Sequence, residues 1–298
     1  EDQGSTFLSR VEINAGQGIE KYYTPEECFA FDSSTGSITS YDVSCGGTDV
    51  VIPYEIGEVA VTRIGGTAFE QIGITSIEFP RSVTYLDDYA VAGNPDLTKV
   101  IFKDGLKSIG LDVFYCYNSI NEGKCALSFV NLPNTLEGKL EYTFYYNSLK
   151  HVIVPEGVTS LEGTFAFNQL EEVKLNNNIT EILSESFIEN ELKEIVIPDS
   201  VELIDSVSFS HNPLEEIKFG TGLIEIGNNA FSNHVMSTYK YYSQNFLKEV
   251  YIPKNITKMG INVFESATSD VTIYVDNPKS AINASSAWWG HANVVYAE

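Results

Sequence analysis

The amino-acid sequence predicts a solenoid, in which short strand-containing coils stack along one axis. Three observations favour this fold class. Leucines open successive copies of a motif every 21 to 22 residues, at Leu149, Leu170, Leu192 and Leu214. Each copy also contains a short alternation of apolar and polar residues that is typical of a half-buried strand. Closing phenylalanines follow the same period at Phe144, Phe165, Phe187, Phe209 and Phe231, and Phe264 follows after an insertion.

The copy "LKEIVIPDSVELIDSVSFSHNP", residues 192–213, shows what one coil contributes. Leu192, Ile195 and Ile197 are expected to point inward, while Glu194 and Val196 point outward. Burial of about six large apolar groups stabilises a coil by roughly 10 to 18 kcal/mol, whereas ordering its residues costs roughly 30 kcal/mol. A single coil is therefore not expected to fold without neighbours, and a stack of coils is.

The repeat divides the chain into three parts. Residues 1–48 are predicted to be an N-terminal segment with a β-hairpin cap that turns at "DSSTGS", Asp32–Ser37. Residues 49–270 are predicted to form about nine coils of ~22 residues, with insertions at 115–126 and 233–245. Residues 271–298 are predicted to be a C-terminal cap in which Trp288 and Trp289 cover the last coil. A structural role is predicted for an asparagine in each corner, at Asn147, Asn168, Asn190, Asn212 and Asn245.

The four cysteines occur as two local pairs separated by 17 and 9 residues, Cys28 with Cys45 and Cys116 with Cys125. Neither spacing is that of a zinc site or a redox motif. Two disulfides are the natural interpretation, and they indicate an oxidising, extracytoplasmic setting. The alternative is four unpaired thiols, which intact mass before and after reduction would distinguish.

The charge of the chain restricts its partners. The 18 basic residues against 41 acidic ones give a net charge of -23, which repels nucleic acid and anionic membrane surfaces. No apolar run approaches the ~20 residues that cross a bilayer. Nucleic-acid binding and direct membrane insertion are therefore not expected.

The motif identifies a known family. A period of about 20 to 29 residues with this leucine spacing is a leucine-rich-repeat signature. The form L-x-x-V-x-I-P-x-x-V-x-x-I-G-x-x-A-F resembles the BspA-like leucine-rich repeats of bacterial surface proteins and some parasitic protists. This resemblance implies a β-rich right-handed coil with a parallel sheet on one face and short helical or extended turns on the other. It also implies secretion or cell-surface attachment, adhesion to proteins such as host matrix or cell-surface proteins, and no common catalytic centre.

A search for chemistry gives no catalytic residue, metal ligand set or cofactor motif. The histidines His151, His211, His234 and His291 fall in different coils and in the tail. A Ser-His-Asp set would have to assemble across coils without a nucleophile-elbow motif, and no glycine-rich phosphate loop is present. No enzymatic activity, metal or cofactor is expected.

The outward strand positions are the predicted binding face. In its first half, Ile101, Phe129, His151 and Ile153 form a mixed apolar patch of the kind found at contact sites. In its second half, glutamates on successive coils repel one another unless a cation intervenes, and Val196 and Tyr251 lie beside them. The glutamates are Glu172, Glu194, Glu216 and Glu249. The alternative is that Lys174 and Lys218 neutralise them and that loops cover the apolar residues.

The sequence thus favours a non-enzymatic extracellular binding or adhesion module whose strand-lined face binds a protein, with a preference for a basic segment. One alternative is a structural spacer of a larger surface protein, and a carbohydrate-active enzyme is another. Three Asn-x-Ser/Thr sequons, at Asn178, Asn255 and Asn283, are glycan sites if the source is a secreting eukaryote.

Overall fold

The chain winds into a parallel β-solenoid of about 11 turns with little helix. The computed structural model describes residues 11–13, 20–116, 125–233, 246–265, 267, 269–284 and 288–297. Each coil contributes one strand to each of two ladders, which we call the front ladder and the back ladder. Parallel pairing follows because successive coils run in the same direction.

The front ladder contains the strands that the repeat motif predicts and two more from the segment predicted as a cap. The strands of the repeat are Asp49–Val51, Ser76–Phe79, Lys99–Phe102, Val130–Asn131, His151–Ile153, Glu172–Lys174, Glu194–Val196, Glu216–Lys218 and Glu249–Ile252, and the two additional strands are Thr272–Val275 and Asn293–Tyr296. Their central Val or Ile side chains point into the core, and the residues on either side point outward.

The back ladder consists of shorter strands on the opposite wall. They are Ser37–Tyr41, Arg63–Ile64, Tyr85–Leu86, Ser108–Ile109, Glu137–Glu141, Gly157–Glu162, Glu181–Ile182, Leu203–Ile204, Glu225–Ile226, Lys258–Met259 and Asn283–Ala284, and Phe29–Asp32 joins the N-terminal edge in antiparallel pairing. The family resemblance implied helical or extended turns here, so a second parallel ladder is a finding of the structure. The remaining strand pairs are Val11–Ile13 with Glu20–Tyr22 and Glu55–Ile56 with Val59–Ala60, and the short helices are Glu26–Cys28, Val43–Gly46 and Lys279–Ala281.

The coil count differs from the expected nine. Nine front strands fall within residues 49–270, and Thr272–Val275 and Asn293–Tyr296 add two turns from the segment predicted as a cap. This segment lacks the leucine and proline of the motif, but Ile273 and Val275 keep the inward alternation. Trp288 then covers the core, with its ring 6.2 Å from that of Phe264, and only 1% of its surface is exposed.

The predicted hairpin and disulfides are present in the structure. Strands Phe29–Asp32 and Ser37–Tyr41 pair antiparallel. Between them, the Asp32 carboxylate accepts hydrogen bonds from Ser34 and Thr35, which lower its pKa. Cys28 is bonded to Cys45, and Cys116 to Cys125.

Two columns of side chains hold successive coils together. Phenylalanine rings stack from Phe114 to Phe264 with centroids 5.1 to 5.7 Å apart. Beside them, the Asn190 amide donates to the carbonyls of Phe165 and Phe187, and its oxygen accepts from the Leu170 N–H. Asn168 and Asn212 repeat this pattern, as the sequence predicted. Asn245 lies outside the described residues.

Candidate binding face

The front ladder arranges its outward side chains in columns. In the hydrogen-bonded strand pairs, His151 lies opposite Glu172, and Glu194 lies opposite Glu216. Two residues further along the strand, Ile153 lies opposite Lys174. We call the first of these positions the first column: Asp49, Ser76, Lys99, Phe129, His151, Glu172, Glu194, Glu216, Glu249, Thr272 and Asn293. The second column is Val51, Glu78, Ile101, Asn131, Ile153, Lys174, Val196, Lys218, Tyr251, Tyr274 and Val295. All ten predicted face residues therefore lie in these two columns.

Large apolar side chains on this face are unusually open to solvent. The exposed fractions are 69% for Ile153, 63% for Phe129, and 59% for both Val196 and Tyr251. These are the four most exposed large apolar side chains in the described part of the chain. Ile101 is half-buried, so it contributes less surface than predicted.

The second column alternates between apolar and polar residues from coil to coil. The apolar members are Val51, Ile101, Ile153, Val196 and Tyr251. The polar members between them are Glu78, Asn131, Lys174 and Lys218. The alternation ends where Tyr274 follows Tyr251, and their rings stack with centroids 4.8 Å apart. The front face thus has a period of two coils from Val51 to Tyr251, superimposed on the single-coil repeat.

The glutamates of the first column have neighbours that reduce their mutual repulsion. The Lys218 ammonium lies 3.0 Å from the Glu216 carboxylate. This contact, together with the charges of Glu216 and Glu194, raises the pKa of Lys218. His151 Nδ1 is 3.8 Å from Glu172 Oε2, a contact that offsets the carboxylate charge only when the imidazole is protonated. The first column is therefore acidic, but part of its negative charge is balanced by Lys218. Neutralisation by lysine is one of the alternatives that the sequence left open.

Tyr251 connects the two columns at the C-terminal part of the face. Its hydroxyl donates to Glu249 Oε2 at 2.9 Å. This hydrogen bond raises the pKa of Tyr251, because the carboxylate stabilises the protonated phenol. The Tyr251 ring therefore stands beside a carboxylate with its hydroxyl engaged and much of its surface exposed.

A third set of charges, which sequence analysis missed, lies directly before the first column. We call it the edge column: Lys150, Glu171, Lys193, Glu215 and Lys248. All five are exposed, and their signs alternate. Lys150 Nζ is 3.5 Å from Glu171 Oε1. These residues could have been found in the sequence, since each one directly precedes a first-column residue. Their alternating charges repeat every two coils, as the second column does.

The front ladder also contains a cleft. Within the described ranges, the front strands form four separate hydrogen-bonded sheets. One of the breaks lies between Glu216–Lys218 and Glu249–Ile252, where the back ladder is continuous. A cavity of about 700 Å³ opens between them, lined by side chains that include Glu216, Lys218 and Tyr251. The predicted insertion precedes the second strand, and its residues 234–245, like 117–124 of the other insertion, lie outside the described residues.

His211 lies near an acid and a hydroxyl but does not form a catalytic triad with them. His211 Nδ1 lies 3.9 Å from Glu189 Oε1 and 3.1 Å from Ser210 Oγ, while the Ser210 hydroxyl donates to the Ser232 carbonyl. Both the acid and the hydroxyl face the same ring nitrogen, so His211 does not connect them as a base in a triad does. Over the ranges that the structure describes, no group of three or more His, Cys, Asp or Glu side chains is placed to hold a metal. His234 lies outside these ranges.

The leucine, phenylalanine and asparagine columns, joined to an exposed strand face, define a leucine-rich-repeat solenoid. The family model described as "BspA type Leucine rich repeat region" matches residues 44–125, 123–238 and 234–287. The chain therefore belongs to the BspA-type leucine-rich-repeat family. This family is generally non-catalytic, which agrees with a binding or structural role. No curated protein sequence matches the chain significantly.

Solved bacterial structures share the fold at low sequence identity. A leucine-rich repeat protein from Bacteroides ovatus ATCC 8483 is 22% identical, with 97% of this chain and 70% of that one covered, at a TM-score of 0.63. A leucine rich cell surface protein from Faecalibacterium prausnitzii A2-165 is 19% identical, with coverage of 91% and 93%, at a TM-score of 0.50. A leucine-rich repeat protein from Eubacterium ventriosum ATCC 27560 is 20% identical, with coverage of 87% and 71%, at a TM-score of 0.50. Among the described residues, no helix has the length and apolarity to cross a bilayer.

Proposed function

We propose that the chain is a non-enzymatic extracellular module that binds a protein partner through its front ladder. The observation that carries this proposal is the exposure of Phe129, Ile153, Val196 and Tyr251, each at least 59% open to solvent on one face. Apolar side chains concentrated on one surface and surrounded by charged residues mark protein-binding sites.

The chemistry of the face suits a protein better than a small molecule. Its polar groups are spread over successive coils in the first and edge columns, and the cleft beside Tyr251 includes only the C-terminal part of them. The net charge of -23 favours the approach of a basic partner. The glutamates of the first column give such a partner local contacts.

An extracellular location is supported by the two disulfides and by the family. Disulfides persist in oxidising compartments, and one structural neighbour is itself a bacterial cell surface protein. Host matrix and cell-surface proteins are therefore the first partners to examine.

The experiment measures binding to a panel of purified matrix and cell-surface proteins by biolayer interferometry. We compare the wild-type chain with the front variant Ile153→Ser/Val196→Ser. The matched control is Ile224→Ser/Ile261→Ser, which removes similar side chains, 43% and 44% exposed, away from the front ladder. We expect at least about a tenfold loss of affinity for the front variant alone, a change of ~1.4 kcal/mol. No binding by the wild-type chain, or equal binding by both variants, would favour the spacer alternative.

A further inference from the structure

The two-coil period of the front ladder restricts the shape of the partner. Ile153, Val196 and Tyr251 are exposed at alternate coils, with Lys174 and Lys218 on the coils between them. Neighbouring strands of a ladder lie ~4.8 Å apart, so these apolar side chains repeat about every 9.6 Å along the solenoid. A partner that contacts all three must present apolar groups at a similar interval.

An α-helix lying along the solenoid axis has this interval. Its rise of ~1.5 Å per residue places every seventh side chain about 10.5 Å further along the same face. Two of the four coil steps from Ile153 to Tyr251 lack hydrogen bonds between front strands, but the phenylalanine rings of the same coils keep a regular spacing of 5.1 to 5.7 Å. The four steps therefore span about 19 to 22 Å, against about 21 Å for fourteen helical residues. The difference of at most about 2 Å over the whole length is within the reach of side-chain adjustment. An extended strand repeats its side chains every ~6.8 Å and does not match.

The width and composition of the face also fit a helix. The edge, first and second columns span three residue steps of a strand, about 10 Å, which is close to the diameter of a helix with its side chains. A polyproline helix has a pitch of ~9.3 Å, which also fits the interval, but such ligands dock on aromatic-lined grooves. Ile153 and Val196 are aliphatic, and Tyr251 is the single aromatic residue of the second column from Val51 to Tyr251.

The charges beside the apolar groups determine which charge the partner must carry. Glu172, Glu194, Glu216 and Glu249 run along one side of the second column. In paired helices, charged residues flanking an apolar seam select partners of opposite charge. A helix with lysine or arginine beside its apolar stripe would therefore place those cations against the first column.

Building on the proposed function, we infer that the front ladder binds a basic amphipathic α-helix of a partner protein, in which apolar residues recur every seven positions. Ile153, Val196 and Tyr251 each contact one apolar residue of the helix. Lys174 and Lys218 lie under the intervening turns, where acidic side chains of the helix can reach them. The first column contacts the basic residues on the flank of the helix.

The test uses synthetic peptides and the full chain. The first peptide is a lysine- and alanine-rich helix of about 20 residues with an isoleucine at every seventh position. The matched peptide has the same composition but carries its isoleucines at every fourth position, on one face and only ~6 Å apart. A proline-rich peptide with the same number of lysines is the third probe. Isothermal titration measures affinity, and circular dichroism confirms that the first two peptides are equally helical.

We expect the seven-residue spacing to bind at least about tenfold more tightly than the four-residue spacing. A composition-conserving variant, Val196→Lys with Lys218→Val, moves the apolar group by one coil. Its new lysine stands two residues from Glu194, as Lys218 does from Glu216. We expect this swap to weaken binding of the first peptide about tenfold, and the control Ile224→Ser/Ile261→Ser to leave it unchanged.

Several outcomes would overturn the inference: equal affinity for the two helical peptides, tighter binding of the proline-rich peptide, or an unchanged affinity after the swap. If a panel protein still binds in a way that depends on Ile153 and Val196, the proposed function stands and only the helical partner is excluded. If neither peptides nor panel proteins respond to front-face substitutions, both proposals fail.

Discussion

Replacing Asn190 with alanine is expected to destabilise the solenoid by about 3 to 5 kcal/mol. Asn190 is fully buried and belongs to the column that joins successive coils. Its amide nitrogen lies 2.9 Å from the Phe165 carbonyl and 3.1 Å from the Phe187 carbonyl, and its oxygen accepts the Leu170 N–H at 2.9 Å. Alanine removes these three hydrogen bonds and a longer one, 3.3 Å, to the Ile188 carbonyl.

The magnitude depends on which groups are left without a partner. The Phe165 carbonyl keeps the Asn168 amide, and the Phe187 carbonyl keeps the Asn212 amide. Each of these two lost bonds therefore costs about 1 kcal/mol. The buried Leu170 N–H loses its side-chain acceptor, which costs about 1 to 3 kcal/mol more.

The assay is urea unfolding followed by circular dichroism. Asn177→Ala is the matched control, because Asn177 is an exposed asparagine in the same region, and we expect a change within about 0.5 kcal/mol. A small effect of Asn190→Ala, equal to that of the control, would refute the assignment of the column as a structural connection.

A double variant tests the shared carbonyl directly. Asn190 and Asn212 both donate to the Phe187 carbonyl, so Asn190→Ala/Asn212→Ala leaves that oxygen with neither side-chain donor. We expect the double variant to lose about 1 kcal/mol or more beyond the sum of the single variants. Asn94→Ala combined with Asn190→Ala should be additive, because Asn94 bonds a different set of backbone groups. Additivity in both pairs would contradict the proposed sharing.

Two further predictions concern the turns before the closing phenylalanines. Val207 has a φ of 53°, a left-handed conformation that is costly for a β-branched residue. Asn229 and Asn262 occupy the equivalent positions in later coils. Val207→Asn should therefore raise the free energy of unfolding by about 0.5 to 1 kcal/mol. No gain in thermal unfolding would contradict this account of strain. Burial raises the pKa of Asp112 above its ordinary value, so ionised Asp112 destabilises the native state. This cost is absent below the ordinary pKa of the unfolded chain, grows as the pH rises from there to the raised pKa of the folded chain, and is fully present above it. Asp112→Asn should therefore stabilise the chain more at pH 7 than at pH 4, and an equal effect at both would exclude the ionisation as its cause.

Residues that must be buried could be read from the sequence because their spacing admits few alternatives. Ile195 and Ile197 point inward and Glu194 and Val196 outward, as a strand requires. The asparagine column could be predicted because a carboxamide in a tight corner has few possible roles. The disulfides followed from pairing the nearest cysteines.

Features that depend on contacts between coils were harder to predict. Thr164, Ser186 and Ser208 stand where the motif has alanine, and their buried hydroxyls donate to carbonyls of the preceding coil at 2.7 to 3.1 Å. The sequence does not specify these partners, since they are more than 20 residues away. The cleft beside Tyr251 depends in the same way on the separation of two strands on either side of an insertion.

The alternation of the second column makes a pair of coils, instead of a single coil, the repeating unit of this surface. Loss of one coil between Ile153 and Tyr251 would bring two apolar or two charged residues onto adjacent strands, even though the core would remain continuous. Loss or duplication of two coils together would preserve both the core and the surface pattern. Homologues that differ in length by two coils should therefore keep this surface, whereas those that differ by one should have rebuilt it.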